Sequence, residues 1–292
     1  MSKVELKLAT IPTCIFAGGL GTRLSEQTTV RPKPMVEIGG MPVLWHIMKY
    51  YSSFGFNNFK VALGYKGDYI KNYFLNYRYM KGDLSLNFET GEMQADTREL
   101  EPWKIDLMDT GLETMTGGRL RRMCEKIGSG IFFLTYGDGV SNVNLHDLLS
   151  FHLSHNKLVT VTAVRPPARF GSMDIVDSSV KSFQEKPQIG EGWINGGFFV
   201  VDARVIDYLV DDQMPFEKDP LTQLAEDGEL MAYQHHGFWH CMDTQRDVAS
   251  LEELWAKGNA PWKIWGNAAS APRFSPHSTA QSSLGTTINV LE

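Results

Sequence analysis

The stretch IPTCIFAGGLGTRL, residues 11–24, begins with an apolar run and ends in a glycine-rich turn. The run at residues 11–16 is typical of a buried β-strand. Three of the four residues at 18–21 are glycines, which lack a Cβ, so the main chain can turn sharply and a ligand can approach it closely. The hydroxyl of Thr22 and the guanidinium of Arg23 follow. Together these groups predict a main-chain cradle for phosphate.

Two common phosphate-binding motifs do not fit this turn. A P-loop requires a lysine directly after its last glycine, and Thr22 follows Gly21. A dinucleotide-binding fingerprint requires glycine or alanine at position 24, where the chain has Leu24. What remains is a glycine loop after the first strand, at the edge where open parallel sheets bind ligands. An ordinary tight turn is the alternative, and it is disfavoured because several adjacent glycines are entropically costly.

Strand-like and helix-like patterns alternate along the rest of the chain. The first half predicts strand–helix units on a largely parallel sheet, and the second half adds antiparallel segments, so the fold class is α/β. Residues 84–89 and 104–110 alternate in the way of antiparallel strands. Residues 266–292 are rich in serine, alanine, glycine and threonine and predict a flexible tail.

Composition excludes several classes of protein. The 292 residues carry a net charge of -6, which argues against nucleic acid or an anionic membrane as the main partner. The cysteines, Cys14, Cys124 and Cys241, are few and widely spaced, so we expect free thiols rather than disulfides or a zinc site. No stretch of about 18 apolar residues occurs, and the first ten residues do not resemble a signal peptide. A cytoplasmic protein is the resulting expectation.

Three further charged residues stand in distinctive contexts. Lys33 lies between two prolines in VRPKPMVEIGG, residues 30–40, and prolines fix the direction from which it approaches a ligand. Asp138 follows a buried strand in YGDG, and Asp243 precedes Thr244 at the start of a predicted helix. From the residues alone, Lys33 also fits a surface loop, Asp138 a turn, and Asp243 a helix cap.

Two more motifs complete an ordered set. These are FQEKP at residues 183–187 and WINGGFFV at residues 193–200. With the glycine loop, PKP and YGDG, they resemble the sugar-1-phosphate nucleotidylyltransferases, and the resemblance runs from about residue 11 to residue 265. It implies a Rossmann-like mixed, largely parallel sheet flanked by helices, of the nucleotide-diphospho-sugar transferase type, with small antiparallel additions.

The resemblance also implies a domain organisation. We expect a single nucleotidylyltransferase domain over residues 1–265, with a nucleotide-binding half at about 11–145 and a sugar-phosphate half at about 146–265. The segments at residues 34–55, 109–122, 135–144 and 237–247 are similar to the branch of the family that transfers a nucleotide from CTP to α-D-glucose 1-phosphate.

The same resemblance implies roles for individual residues. The catalytic residues would be Arg23, Lys33 and Lys186. Asp138 and Asp243 would hold Mg²⁺, which takes oxygen ligands. The nucleotide would be bound by Ala17, Gly18, Gly19, Leu20, Gly21, Thr22, Arg23, Lys33, Thr114, Gly117, Arg119 and Gly137. The sugar phosphate would be bound by Gly171, Glu185, Lys186 and Asn195.

Other functions stay open at this point. The same chemistry with UTP, dTTP or another sugar phosphate is one, and a non-catalytic subunit that senses nucleotide sugars is another. We expect small-molecule substrates, no nucleic acid and no membrane as partners. A homo-oligomer is also expected, because symmetric assemblies are common among soluble enzymes.

Overall fold

A computed structural model describes residues 8–96, 100–165, 172–176, 179–184 and 192–266. Almost all of the expected C-terminal tail therefore lies outside the described residues. Among the residues that are described, we find no helix with the length and apolar character of a membrane span.

In the part of the chain that the structure describes, seven strands form the main sheet. They are β1 (Pro12–Ala17), β4 (Asn58–Leu63), β7 (Lys104–Asp109), β8 (Ile131–Tyr136), β10 (Val159–Val164), β13 (Ile194–Asp202) and β14 (Leu230–His235). Their spatial order is β14-β10-β13-β8-β1-β4-β7. β1 pairs in parallel with both β4 and β8, and β7 pairs in parallel with β4. β13 is antiparallel to its neighbours β8 and β10, whereas β14 is parallel to β10.

Short antiparallel pairs surround this sheet. Four two-stranded ribbons are formed by β2 (Glu37–Ile38) with β3 (Met41–Pro42), β5 (Leu84–Leu86) with β6 (Met93–Ala95), β9 (Gly139–Ser141) with β15 (Trp239–Cys241), and β11 (Ser172–Val176) with β12 (Ser179–Gln184). The mixed, largely parallel sheet with antiparallel additions confirms the expected fold class.

Helices cover both faces of the sheet. Neighbouring residues of a strand point to opposite faces, so Ile15 and Cys14 of β1 belong to two different apolar cores. Residues from α2, α5 and α7 pack on the Ile15 face, and residues from α4 and α6 pack on the Cys14 face. The helices are α1 (Ser25–Thr28), α2 (Val43–Ser53), α3 (Gly67–Asn76), α4 (Thr116–Ile127), α5 (Leu145–His155), α6 (Asp219–Glu226) and α7 (Gln245–Ala256), with 3₁₀ turns at Leu8–Thr10, Thr22–Leu24, Lys33–Met35 and Ala203–Tyr208.

One strand assignment from the sequence is wrong. Residues 104–109 were expected to be antiparallel, but they form β7, which is parallel to β4 in the main sheet. β7 has only one neighbour and its side chains are only partly buried, so its sequence alternates although its pairing is parallel. The expectation for residues 84–86 is confirmed, because β5 pairs antiparallel with β6.

Candidate active site

A cavity of about 300 Å³ lies at the carboxyl ends of β1 and β8. We call it the nucleotide pocket, after the ligand that the sequence resemblance implies for the residues around it. Its lining consists of Phe16, Ala17, Gly18, Gly19, Gly21, Thr22, Lys33, Pro34, Thr114, Met115, Thr116, Arg119, Tyr136, Gly137 and Asp138. Nine of the twelve residues expected to bind the nucleotide are in this set, so the structure brings most of that prediction together around one cavity.

The glycine loop presents bare main chain to this pocket. Gly18 is closely packed, since a Cβ built on it would lie 2.4 Å from Nη1 of Arg119. Gly19 is exposed and a Cβ there would meet no heavy atom within 4 Å. Gly21 has a φ of 63°, which favours glycine. The loop is therefore fixed at Gly18, turns at Gly21 and leaves the main chain between them accessible.

Arg119 supports the glycine loop through a hydrogen bond to Gly18. This arginine of α4 is only 4% exposed. Its Nη1 donates to the carbonyl of Leu63 at 2.8 Å and to Oγ1 of Thr110 at 2.6 Å, and its Nη2 donates to the carbonyls of Gly18 at 3.2 Å and Leu112 at 3.3 Å. Burial, followed by the charge of Arg122, lowers the pKa of Arg119. The side chain lines the pocket, but its guanidinium is already bound by three main-chain carbonyls and one threonine hydroxyl.

Lys33 projects from the 3₁₀ turn Lys33–Met35 and also lines this pocket. Its Nζ lies 2.5 Å from Oδ2 of Asp138 and 2.5 Å from Oδ1 of Asp243. Burial alone lowers the pKa of Lys33, but Asp138 and Asp243 outweigh it, and the net effect raises that pKa. The ammonium is therefore a permanent positive charge between two carboxylates.

Antiparallel pairing brings the two aspartates together across 105 residues of sequence. Asp138 immediately precedes β9 and Asp243 follows β15, and the two strands pair with Cys241 opposite Gly139. The N–H of Met242 also donates to the carbonyl of Asp138 at 2.8 Å. The ribbon thus sets the distance between the two carboxylates.

Thr244, not Asp243, caps α7. Oγ1 of Thr244 accepts from the N–H of Asp247, and the Asp247 carboxylate accepts from the N–H of Thr244, which completes a capping box. Capping was the alternative role for Asp243 that the sequence left open. With Thr244 in that role, the Asp243 carboxylate faces Lys33 instead.

A second cavity of about 290 Å³ adjoins the first. We call it the sugar pocket, because it contains Asn195, for which the sequence resemblance implies contact with the sugar phosphate. Its lining consists of Thr135, Tyr136, Asp138, Gly139, Asn195, Gly196, Gly197, Phe198, Trp239, Cys241 and Asp243. Tyr136 and Asp138 line both pockets. Asn195, expected to bind the sugar phosphate, lies here, and its Oδ1 accepts from the N–H of Gly197 at 2.8 Å.

Several predicted residues lie elsewhere. Leu20 is 57% exposed and does not line the described pocket. The N–H of Gly117 donates to the carbonyl of Met214 at 2.9 Å, and its Cα packs against that carbonyl. Gly171, Glu185 and Lys186 lie outside the described residues, as does the side chain of Arg23.

Sequence reasoning missed several residues around the pockets, and three of them are joined by hydrogen bonds. Tyr136 forms a wall common to both, Thr116 lines the nucleotide pocket, and Glu217 accepts hydrogen bonds from the hydroxyls of both. Tyr136 stands two residues before Asp138 in a quoted motif, so its position was a usable signal. Glu217 has no sequence signal, since its partners are 81 and 101 residues away.

A family model described as "Nucleotidyl transferase" matches residues 13–259, which is most of the chain. The chain belongs to the nucleotidyl transferase family. This nucleotidyl transferase is 52% identical over 252 residues to the glucose-1-phosphate cytidylyltransferase of Salmonella typhi, covering 86% of this chain and 98% of that protein. It is 45% identical over 252 residues to a probable glucose-1-phosphate cytidylyltransferase of Bacillus subtilis, with the same coverage.

Solved structures agree on the fold. HddC from Yersinia pseudotuberculosis complexed with GMP-PN matches the nucleotidyl transferase with a TM-score of 0.63 and 25% identity, over 84% of this chain and 99% of that one. An apo-UDP-glucose pyrophosphorylase matches with a TM-score of 0.62 over 85% of this chain and 99% of that one, and at 17% identity it shows the fold alone. These findings confirm the family resemblance and the sheet architecture expected from the sequence.

Enzymes of this family generally use a divalent metal ion. Among the described residues, no group of three or more His, Cys, Asp or Glu side chains is placed to hold a metal ion. Two carboxylates, Asp138 and Asp243, do converge on one point. This donor set fits a hard cation that takes one or two protein carboxylates and completes its shell with phosphate oxygens and water.

Proposed function

We propose that this nucleotidyl transferase joins CTP to α-D-glucose 1-phosphate and releases CDP-glucose and pyrophosphate. The observation that carries the proposal is the position of Lys33, Asp138 and Asp243 where the nucleotide pocket meets the sugar pocket. The choice of CTP and glucose follows from the relatives that are 45% and 52% identical over nearly their full length.

The reaction is an in-line displacement at phosphorus. A phosphate oxygen of the sugar phosphate attacks the α-phosphorus of CTP, the bond to the β-phosphate oxygen breaks, and pyrophosphate leaves. The attacking phosphate is already largely ionised near neutral pH, so no general base is required. Such transfers depend on positioning and charge stabilisation rather than on a covalent intermediate.

Charge is the central difficulty, because both substrates are anions. The N–H groups of residues 18–21 would bind the triphosphate at the carboxyl end of β1. Lys33 would contact the α-phosphate and the attacking phosphate, where one ammonium at 4 Å contributes about 4 kcal/mol at an effective dielectric constant of about 20. Arg23 and Lys186 would hold the leaving pyrophosphate and the sugar phosphate.

The protein charges alone do not suffice. Lys33 contributes one positive charge, and Asp138 and Asp243 contribute two negative charges, so the cluster is net negative and repels phosphate. A divalent cation held by Asp138 and Asp243 would reverse that sign and would supply Lewis-acid stabilisation of charge on phosphate. We infer Mg²⁺ as this ion, since it binds through one or two carboxylates together with substrate phosphates.

A product assay with alternative nucleotides tests the function. The purified enzyme is incubated with Mg²⁺, glucose 1-phosphate and each of CTP, UTP, dTTP and GTP, and pyrophosphate and nucleotide sugar are measured. We expect CDP-glucose from CTP. Turnover with UTP or dTTP alone would replace the CTP assignment, and no release with any nucleotide would favour the sensing subunit.

Two further expectations belong to the proposal. The β5–β6 hairpin exposes apolar side chains, with Phe88 93% exposed and Leu86 49% exposed, which supports a homo-oligomer that sedimentation velocity can detect. Cys14 and Cys124 are buried free thiols, which supports a reducing, cytoplasmic location.

A further inference from the structure

The carboxylate of Glu217 accepts hydrogen bonds from the hydroxyls of two residues that line the pockets. It lies in the segment between the 3₁₀ turn Ala203–Tyr208 and α6. The hydroxyl of Tyr136 donates to its Oε1 at 2.5 Å, and Oγ1 of Thr116 donates to its Oε2 at 2.6 Å. Glu217 does not line either pocket, so any effect on substrates passes through these two partners.

Tyr136 is the wall that the two pockets share. It ends β8, and its ring packs closely on Gly197, where a Cβ would lie 2.6 Å from Cδ2 of Tyr136. Tyr136 is therefore held at its ring by Gly197, which lines the sugar pocket, and at its hydroxyl by Glu217.

Thr116 is the matching contact on the nucleotide side. It begins α4, and its Oγ1 accepts from the N–H of Phe216 at 2.8 Å while donating to Glu217. Three residues further along α4, Arg119 binds the carbonyl of Gly18. Residues 216–217 thus anchor the end of the helix that supports the glycine loop.

We propose that Glu217 is a positioning residue that couples the two substrate pockets through Tyr136 and Thr116. The hydrogen-bonded chain runs from Tyr136, which lines both pockets, through Glu217 to Thr116, which lines the nucleotide pocket. A substrate that orders one end of this chain also restrains the other end. The second substrate then binds residues that are already ordered, so less conformational entropy is lost when it binds. The inference rests on the proposed function, because it requires that both pockets fill in one reaction.

Calorimetry with a non-reacting nucleotide measures this coupling. α,β-Methylene-CTP blocks the bond that breaks, so glucose 1-phosphate can be titrated in its presence and absence with Mg²⁺. For the wild-type enzyme we expect the analogue to tighten glucose 1-phosphate binding by at least about fivefold, within the usual range for coupled sites. In Glu217→Ala and in Tyr136→Phe we expect this factor to fall below about twofold.

A double variant separates coupling from a general structural effect. Glu217→Ala and Tyr136→Phe remove the same hydrogen bond, so the combined variant should lose no more than the worse single variant. Glu217→Gln, which keeps one acceptor oxygen, should recover part of the factor. Glu226→Ala removes an exposed carboxylate near the end of α6 and serves as the matched control.

The outcomes are distinct for the two proposals. If wild-type enzyme does not bind the CTP analogue, the CTP assignment fails, and the titration is repeated with an analogue of the nucleotide that is turned over. If wild-type enzyme binds both ligands with no coupling, the role of Glu217 is refuted. The same holds if Glu217→Ala behaves like Glu226→Ala, or if the two single effects multiply in the double variant.

Discussion

Two cations line the nucleotide pocket, and their partners differ in kind. Arg119 is 4% exposed and donates to three main-chain carbonyls and one threonine hydroxyl. Lys33 has a side chain that is 13% exposed and contacts two carboxylates. The carbonyl partners of Arg119 are fixed by the fold, so its guanidinium cannot change partners. The carboxylates beside Lys33 can instead bind another cation, and the ammonium of Lys33 can then contact a phosphate. We therefore propose that Arg119 stabilises the fold and that Lys33 acts in the chemistry.

The largest expected effect is on turnover. Lys33→Ala should lower kcat by about 10³-fold, or about 4 kcal/mol, because a preorganised contact to the transferring phosphate is lost. The thermal unfolding midpoint should stay within a few degrees of wild type. Lys49→Met is the matched control, since Lys49 forms an ion pair with Glu101 away from both pockets. An unchanged kcat would remove Lys33 from the mechanism.

Substitution of Arg119 should lower the stability of the fold. Arg119→Met removes four hydrogen bonds, each with a net value of about 0.5–1.5 kcal/mol, while the carbonyls of Gly18 and Leu63 keep the main-chain N–H donors of Tyr65 and Thr110. We expect a loss of about 3 kcal/mol in the free energy of unfolding, seen as a fall of roughly 6–12 °C in the thermal midpoint. Arg121→Met, on the exposed face of α4, should have little effect. Equal thermal midpoints for Arg119→Met and Arg121→Met would contradict the stabilising role of Arg119.

Substitution of Lys33 should also show that its ammonium competes with a divalent cation for the two carboxylates. Lys33→Met removes the ammonium that contacts Asp138 and Asp243, so a divalent cation no longer competes with it. Without nucleotide, we expect Mn²⁺ to bind about tenfold more tightly to the variant, or about 1.4 kcal/mol, as measured by electron paramagnetic resonance. Unchanged or weaker Mn²⁺ binding would contradict the assignment of these aspartates to the metal ion.

The smallest expected effect is on the alkaline side of the pH profile. The pKa of Lys33 is raised above its ordinary 10.5, so its charge and its ion pairs persist at neutral pH and are lost only as the pH rises beyond that value. We therefore expect kcat/KM to be level between about pH 7.5 and 9.5. A decline in that window that is absent from Lys33→Arg would mean that Lys33 loses its proton there.

The sequence predicted the parts of the site that are encoded locally. The strand Pro12–Ala17, the glycine loop after it and the turn with Asp138 all follow from short patterns of apolar residues and glycine. The parallel pairing of β7 could not be predicted, because a partly exposed edge strand alternates whatever its pairing. The contacts of Arg119 and Glu217 also escaped, because their partners come together only when the sheet forms.

A crystal structure with α,β-methylene-CTP, glucose 1-phosphate and Mg²⁺ tests the central claim most directly. The account predicts triphosphate oxygens on the N–H groups of residues 18–21, the ion on the carboxylates of Asp138 and Asp243, and Nζ of Lys33 on a phosphate oxygen. A triphosphate bound away from Gly21, with Lys33 still held only by the two aspartates, would contradict it.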